Sequence, residues 1–163
     1  MKFGKTEKGL IGYVDSDYAA DLDKRRSLTA YVFTLGSCAV SWKATLQPVF
    51  ALPTTEAEYM AIAEACKESV WLRGLFAELS RDDSCIDLFC DSQSGIYLTK
   101  VQMFHKRTKH IDIRFHYIRE CVADGVVELE HVRTDDQLAD ILTKALGRIR
   151  FAELRRQLGV VKV

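Results

Sequence analysis

The period of the hydrophobic and polar positions changes after the first third of the chain. Leu10–Ser16 is a short apolar run ending in an acidic turn, Asp15-Ser16-Asp17-Tyr18. Ser27–Leu35 (SLTAYVFTL) is rich in β-branched and aromatic residues and closes on Gly36, and Cys38–Ala44 follows at once. The short gap centred on Gly36-Ser37 predicts a hairpin, so three antiparallel strands open the chain. From Thr55 onward, Glu58, Ile62, Ala65, Ser69, Leu72, Phe76 and Leu79 recur at spacings of four and three, one stripe of a long helix. Pro53 precedes it and Thr55 is a good N-cap. Ile86–Cys90 (IDLFC) reads as a short strand ending at Asp91, after which a helix restarts from Ser92 to about Lys100. The hydrophilic stretch His105–His110 leads into a helix over roughly Asp112–Ala123, stopped by Gly125. Val126–Val132 is the last strand, with Val127, Leu129 and His131 alternating onto one face. Helical material runs from Asp136 to about Leu158, interrupted near Gly147.

The order β-β-β-α-β-α-α-β-α predicts an α/β fold, a mixed sheet covered by helices. No repeat, low-complexity tract or linker divides the 163 residues, so one domain is expected over 1–163, with a core over about 10–146 and a C-terminal helical extension over 147–163. A content of 48% hydrophobic and 28% charged residues fits a globular chain rather than a disordered one. No apolar run approaches the roughly 20 residues needed to cross a bilayer, and the polar, lysine-bearing Met1–Leu10 is not a secretory signal. The five cysteines are odd in number and scattered, without a CxxC pair; Cys66, Cys90 and Cys121 fall in apolar-periodic segments, as buried free thiols in a reducing compartment do. A net charge of zero argues against a protein that coats nucleic acid by its field alone, and is neutral toward an enzyme that grips phosphate with metals and a few cations.

The acidic residues carry the candidate chemistry. Phosphodiester hydrolysis by two divalent cations needs several carboxylates converging, so that the metals sit about 3.5–4 Å apart. Mg2+ takes oxygen ligands and keeps much of its water, so a few Asp or Glu side chains suffice. In an open α/β sheet such residues come from strand ends and the helix termini above them. Asp91 fits this best, ending a hydrophobic strand just before a helix, although helix dipoles also favour Asp there. Asp15 ends the first strand in the same manner, with Asp17 and Asp21 as rivals; all three also serve as turn formers. Glu58 sits at the N-terminal end of the apolar stripe and should point toward the sheet, where an unpaired carboxylate is costly. Thr55-x-x-Glu58 is equally a capping box, while Glu56 projects elsewhere. Asp140 lies off the face made by Leu138, Ile141, Leu142 and Ala145, where a solvated helix acid would look the same, so periodicity leaves it open.

Several stretches resemble the ribonuclease H domain at the C-terminal end of Ty1/copia-type retrotransposon polyproteins. They are Gly12–Asp21 (GYVDSDYAAD), Arg25–Gly36 (RRSLTAYVFTLG), Ser41-Trp42-Lys43, Thr55–Met60 (TEAEYM), Phe89–Ile96 (FCDSQSGI), Arg107–Glu120 (RTKHIDIRFHYIRE) and Thr134–Leu146 (TDDQLADILTKAL). They cover nearly the whole chain in the right order. The resemblance implies a ribonuclease H-like fold, a five-stranded mixed sheet with three antiparallel strands first. It implies catalytic and metal-binding roles for Asp15 in GYVD, Glu58 in TEAEY, Asp91 in FCDS and Asp140 in LADIL. In that scheme Asp15 bridges two Mg2+ ions, for which Mn2+ is a possible substitute, Glu58 and Asp91 hold the first ion, and Asp140 the second. The implied reaction is hydrolysis of the RNA strand of an RNA/DNA hybrid, leaving 5′-phosphate and 3′-hydroxyl ends. The implied partner is the reverse transcriptase domain of the same polyprotein, with no membrane. The implied setting is intracellular, either cytoplasmic in a virus-like particle or nuclear.

Two departures accompany the resemblance. Cellular ribonucleases H carry a histidine on the loop before the last helix that assists turnover; Arg133–Gln137 holds none, and His131 falls inside the predicted strand. Slower product release is therefore expected, and an unchanged turnover rate after inserting a loop histidine would refute it. The family also usually has Asn where Ser92 stands, which bears on the grip on the hybrid. Ser16, Ser92 and Gln93 are candidate substrate contacts beside the acids, with the basic segments Lys24–Arg26 and Lys106–Lys109 as weaker ones. His110 and His116 lack a nearby Cys and make a poor zinc site. Tyr13–Asp17 superficially looks like a polymerase aspartate hairpin, but Ser16 separates the acids and the chain has no room for fingers and palm. An integrase-like nuclease would share the fold, yet the TEAEY helix directly after three strands argues for the ribonuclease. The alternative from another class is a catalytically inactive nucleic-acid-binding or connection module, and Met1 directly before the motifs suits either an excised fragment or a short relic gene.

Overall fold

The computed structural model describes residues 9–21, 23, 26–48, 54–80, 83–100 and 109–160. Five strands form one sheet in the order β3-β2-β1-β4-β5. Strands β1 (Ile11–Asp21), β2 (Arg26–Leu35) and β3 (Cys38–Leu46) are antiparallel neighbours, whereas β4 (Ile86–Cys90) and β5 (Val127–His131) add in parallel to β1. The predicted mixed sheet is thus present, and the hairpin between β2 and β3 turns on Gly36 and Ser37, both at positive φ (58° and 61°), as a two-residue turn matching the strand twist requires.

Helix α1 (Thr54–Ser80) packs across β1 and β2 and against α3 (Lys109–Ala123) on one face of the sheet. The other face carries the short α4 (Asp140–Thr143) and α5 (Arg148–Gln157); Leu154 of α5 and Leu158 just after it bury against Val32 and Ala39. Strand alternation sorts the two cores: Val14, Tyr31 and Phe33 join the α1 side, while Tyr13 and Val32 join the α4–α5 side. Helix α2 (Gln93–Lys100) follows β4, with Ser92 as its cap, since Ser92 Oγ accepts the Gly95 N–H at 3.1 Å. Cys38, Cys66, Cys90 and Cys121 are buried free thiols, and Cys85 is an exposed one. No described helix is long and apolar enough to cross a membrane.

Several expectations need correction. Asp15 is not in a turn: β1 continues past it, with Asp15, Ser16 and Asp17 paired to Ala30, Thr29 and Leu28, because β2 is long enough to supply a ladder for a polar stretch that looks like a loop. The helix already includes Thr54, so Thr55 is not its N-cap, and Pro53 lies outside the described residues. The α1 stripe fades after Leu72: Phe76 is half-buried and Leu79 is 77% exposed. His131 ends its strand exposed rather than sharing the buried face of Val127 and Leu129. The expected break near Gly147 is present, since Gly147 is the extended N-cap of α5, but the stretch before it is a 3-10 turn (Thr134–Asp136) and the four-residue α4 rather than a longer helix. Lys24, Arg25, Lys106–Thr108 and the side chain of His110 lie outside the described residues.

Candidate metal centre

The sheet topology explains how the acids meet. Parallel pairing of β1 with β4 ends at Val14↔Cys90, so Asp15 and Asp91 stand next to each other one residue further along. Asp15 shares the alternation of Tyr13 and faces α4, where Asp140 opens the helix and Thr143 closes it. Ser16, one residue on, has the opposite alternation and faces α1, where Glu58 lies one turn into the helix. One residue of β1 therefore reaches each side of the sheet end.

Carboxylate oxygens of Asp15, Asp91 and Asp140 all lie within 4.8 Å of one another, and so do ligand atoms of Glu58, Cys90 and Asp91. Asp91 belongs to both groups. Asp15 is 1% and Asp140 4% exposed, which rules out the solvated helix acid that periodicity left open for Asp140. Asp17, the rival of Asp15, stays outside these groups.

Among the described residues, the surroundings divide into partners that relieve the negative charge and one buried carboxylate oxygen without any. Thr143 donates a short hydrogen bond to Asp15 Oδ2. Lys144 Nζ is 2.6 Å from Asp140 Oδ1 and 3.8 Å from Asp15 Oδ1. Burial alone would weaken the Lys144 charge, but the Asp140 hydrogen bond and the charges of Asp15, Asp140 and Asp91 outweigh it and hold its pKa above the ordinary value. Thr134 Oγ1 donates to Asp91 Oδ2 at 3.2 Å. Burial raises Asp15 to about 6, with the charges of Asp140 and Asp91 adding and the Thr143 hydrogen bond and Lys144 opposing. Burial likewise pushes Glu58 up to about 8, helped by the charges of Asp15 and Asp91 and opposed by a hydrogen bond from Ser16 and by Lys144. Glu58 Oε2 is buried, and no described group gives it a hydrogen bond.

That orphaned oxygen tests whether a divalent cation fits. A buried carboxylate oxygen without a donor is costly, and the set around it is carboxylate-rich, the donor chemistry of Mg2+ and Mn2+. A fold with such a buried acidic cluster is compatible with divalent metal binding.

The other expected contacts have local work of their own. Ser16 is buried and bonds Glu58. The Ser92 hydroxyl caps α2, and Gln93 in the first turn of α2 is exposed. Reading the sequence missed Thr143 and Lys144, although their spacing of three and four from Asp140 places all three on one side of a helix. It also missed Gln137, fully buried, which donates from Nε2 to Val14 O at 2.9 Å and accepts the Ala139 N–H on Oε1 at 3.2 Å. Gln137 thereby fastens the turn before Asp140 to β1 just ahead of Asp15; nothing in the periodicity marks it.

No family model matches the chain. In structure it is similar to the N-terminal RNase H domain of a Mycobacterium tuberculosis protein, with a TM-score of 0.59, 11% identity, and coverage of 91% of this chain and 96% of that one. It is similar also to a foamy viral protease-reverse transcriptase determined in complex with RNA/DNA hybrid, with a TM-score of 0.57, 15% identity, and coverage of 88% of this chain and 22% of that one. The fold is therefore that of ribonuclease H, a nuclease-type fold. In sequence the chain is 44% identical over 97% of its length to the retrovirus-related Pol polyprotein from transposon TNT 1-94 of Nicotiana tabacum. Its homologues are retrovirus-related Pol polyproteins of Ty1/copia-type transposons, matched over the whole chain, and its structural neighbours are RNase H domains. It spans 12% of the length of the TNT 1-94 relative.

Proposed function

We propose that this domain is a metal-dependent endoribonuclease that hydrolyses the RNA strand of RNA/DNA hybrids during retrotransposon reverse transcription. The observation that carries the reading is the convergence of Asp15, Asp91 and Asp140 from three separate elements, with Glu58 Oε2, which has no hydrogen-bond partner among the described residues, beside Asp91. Asp15, Glu58, Asp91 and Asp140 would hold two Mg2+, or Mn2+ in their place, with Asp15 shared, Glu58 and Asp91 on the first ion and Asp140 on the second. When bound, the ions supply a more acidic attacking water and charge stabilisation at the 3′-oxygen leaving group. The protein's own part is to hold the carboxylates fixed: Thr143 and Lys144 orient Asp15 and Asp140, Thr134 orients Asp91, and Ser16 orients Glu58. Ser92 and Gln93 follow Asp91 at the start of α2, where backbone N–H groups favour a phosphate, and the exposed Gln93 can reach it. The reverse transcriptase of the same polyprotein is the expected partner, because the relatives matched are Pol polyproteins of which this segment is a small part.

A second reading, a catalytically inactive nucleic-acid-binding or connection module, is favoured by Lys144, whose ammonium pairs with Asp140 and lies 3.8 Å from Asp15, offsetting part of their charge. One experiment separates them: incubation of an RNA-labelled hybrid with Mg2+, Mn2+ or EDTA, using wild type and Asp91→Asn. Cleavage by wild type with either metal, lost in EDTA and in the variant, supports the nuclease. A folded wild type that binds the hybrid and leaves it intact under all three conditions supports the module.

A further inference from the structure

The second ligand group differs chemically from the first, because it contains sulfur. Cys90 Sγ, a Glu58 carboxylate oxygen and an Asp91 carboxylate oxygen lie mutually within 4.8 Å. Cys90 has no exposed surface, so the thiol is not a solvent-facing cysteine but part of the inner wall of the site. Its position follows from the strand: Ile86, Leu88 and Cys90 alternate toward α1, and Cys90 is the last of them, reaching the level of Glu58. The sulfur accepts the Ser92 N–H at 3.4 Å, a contact that fixes its direction. Beside it, Glu58 Oε2 is buried with no donor among the described residues.

We propose that Cys90, Glu58 and Asp91 form a mixed sulfur–oxygen site for one thiophilic divalent cation, of the Zn2+ or Cd2+ class, overlapping the carboxylates proposed for Mg2+. A tetrahedral Zn2+ with Zn–S of about 2.3 Å and Zn–O of about 2.0 Å sets its sulfur and oxygen ligands about 3.5 Å apart. The three ligand atoms therefore need to close by little more than an ångström, within reach of side-chain rotation. Mg2+ does not select sulfur, whereas thiolate selects Zn2+ and its softer relatives. On binding, the Cys90 S–H bond breaks, a metal–sulfur bond forms with the sulfur lone pair, and the proton leaves to solvent. No electron is transferred. The site would hold three protein ligands and leave one position for water. The proposal needs only these three ligands and not that the chain hydrolyses RNA.

Titration of the metal-free protein with CdCl2, read by the ultraviolet S→Cd(II) charge-transfer band, tests it. Wild type should show one more equivalent of band-forming Cd2+ than Cys90→Ser, whatever the remaining cysteines contribute. Glu58→Gln, which keeps the thiol, should bind that equivalent more weakly by about tenfold or more, since losing even an outer partner of a metal ligand costs ~10–100-fold in affinity. Excess Mg2+ should shift the wild-type titration to higher Cd2+, because Glu58 and Asp91 are shared. Superimposable titrations of wild type and Cys90→Ser would overturn the proposal. So would a Glu58→Gln titration identical to wild type, which also decides the matter should Cys90→Ser fail to fold.

Discussion

Replacing Glu58 by Gln should make the metal-free domain more stable, and increasingly so as the pH rises. The folded carboxyl titrates at about 8 rather than its ordinary 4.5, chiefly because burial disfavours its charge and secondarily because Asp15 and Asp91 repel it. A folded-state pKa above the unfolded value means that the group's contribution to stability is fully present below about 4.5 and is lost as the pH rises through about 8. At about 1.4 kcal/mol per pH unit, the whole loss is about 3–5 kcal/mol, a large share of the ~5–15 kcal/mol that stabilises an ordinary domain. Asp15, raised to about 6, acts in the same direction in both proteins. Gln is nearly isosteric and neutral throughout, so the variant's advantage should be near zero at about pH 5 and several kcal/mol at about pH 9. Urea denaturation in EDTA at the two pH values measures it, and adding Mg2+ at the higher pH should shrink the gap by compensating the wild-type carboxylate. Equal pH dependence in wild type and Glu58→Gln would refute the burial argument.

Two further substitutions probe what holds the site in place. Gln137→Leu removes the hydrogen bonds that Gln137 makes to Val14 O and the Ala139 N–H in the interior, which should cost about 2–4 kcal/mol in urea denaturation and loosen the turn before Asp140, lowering metal affinity in calorimetric titration. Gly12→Ala places a Cβ 2.6 Å from the Phe33 ring and 2.7 Å from Leu88 Cδ1, both fully buried, and should destabilise by about 1–3 kcal/mol through overpacking in the same assay. A neutral result for either would mean that the packing around the centre of β1 is looser than described.

Much of the fold was legible because its elements carry strong local signals. The β-branched content of β2, the Gly36-Ser37 turn, the IDLFC strand and the long period of α1 each specify one structure. The end of β1 was not legible: a run such as DSDYAAD has turn chemistry, and only pairing with β2 makes a strand of Asp15–Asp17. A second long-range pairing separates Asp15 from Asp17, since it is the β1–β4 register that sets Asp15 beside Asp91. Asp91 could be singled out from its own position, whereas Asp140 could not, because α4 has four residues and no period to read. Lys144 and Cys90 escaped notice for opposite reasons. One looks like a surface lysine until its partners are placed, and the other looks like any core thiol until Glu58 arrives from α1.

The most direct test of the central claim joins cleavage to the chemistry of its product ends. With an RNA/DNA hybrid and Mg2+, the wild type should cut the RNA strand alone and leave 5′-phosphate and 3′-hydroxyl ends, and EDTA or Asp91→Asn should abolish the cut. An intact hybrid with folded wild type, or 2′,3′-cyclic phosphate ends that persist in EDTA, would contradict it.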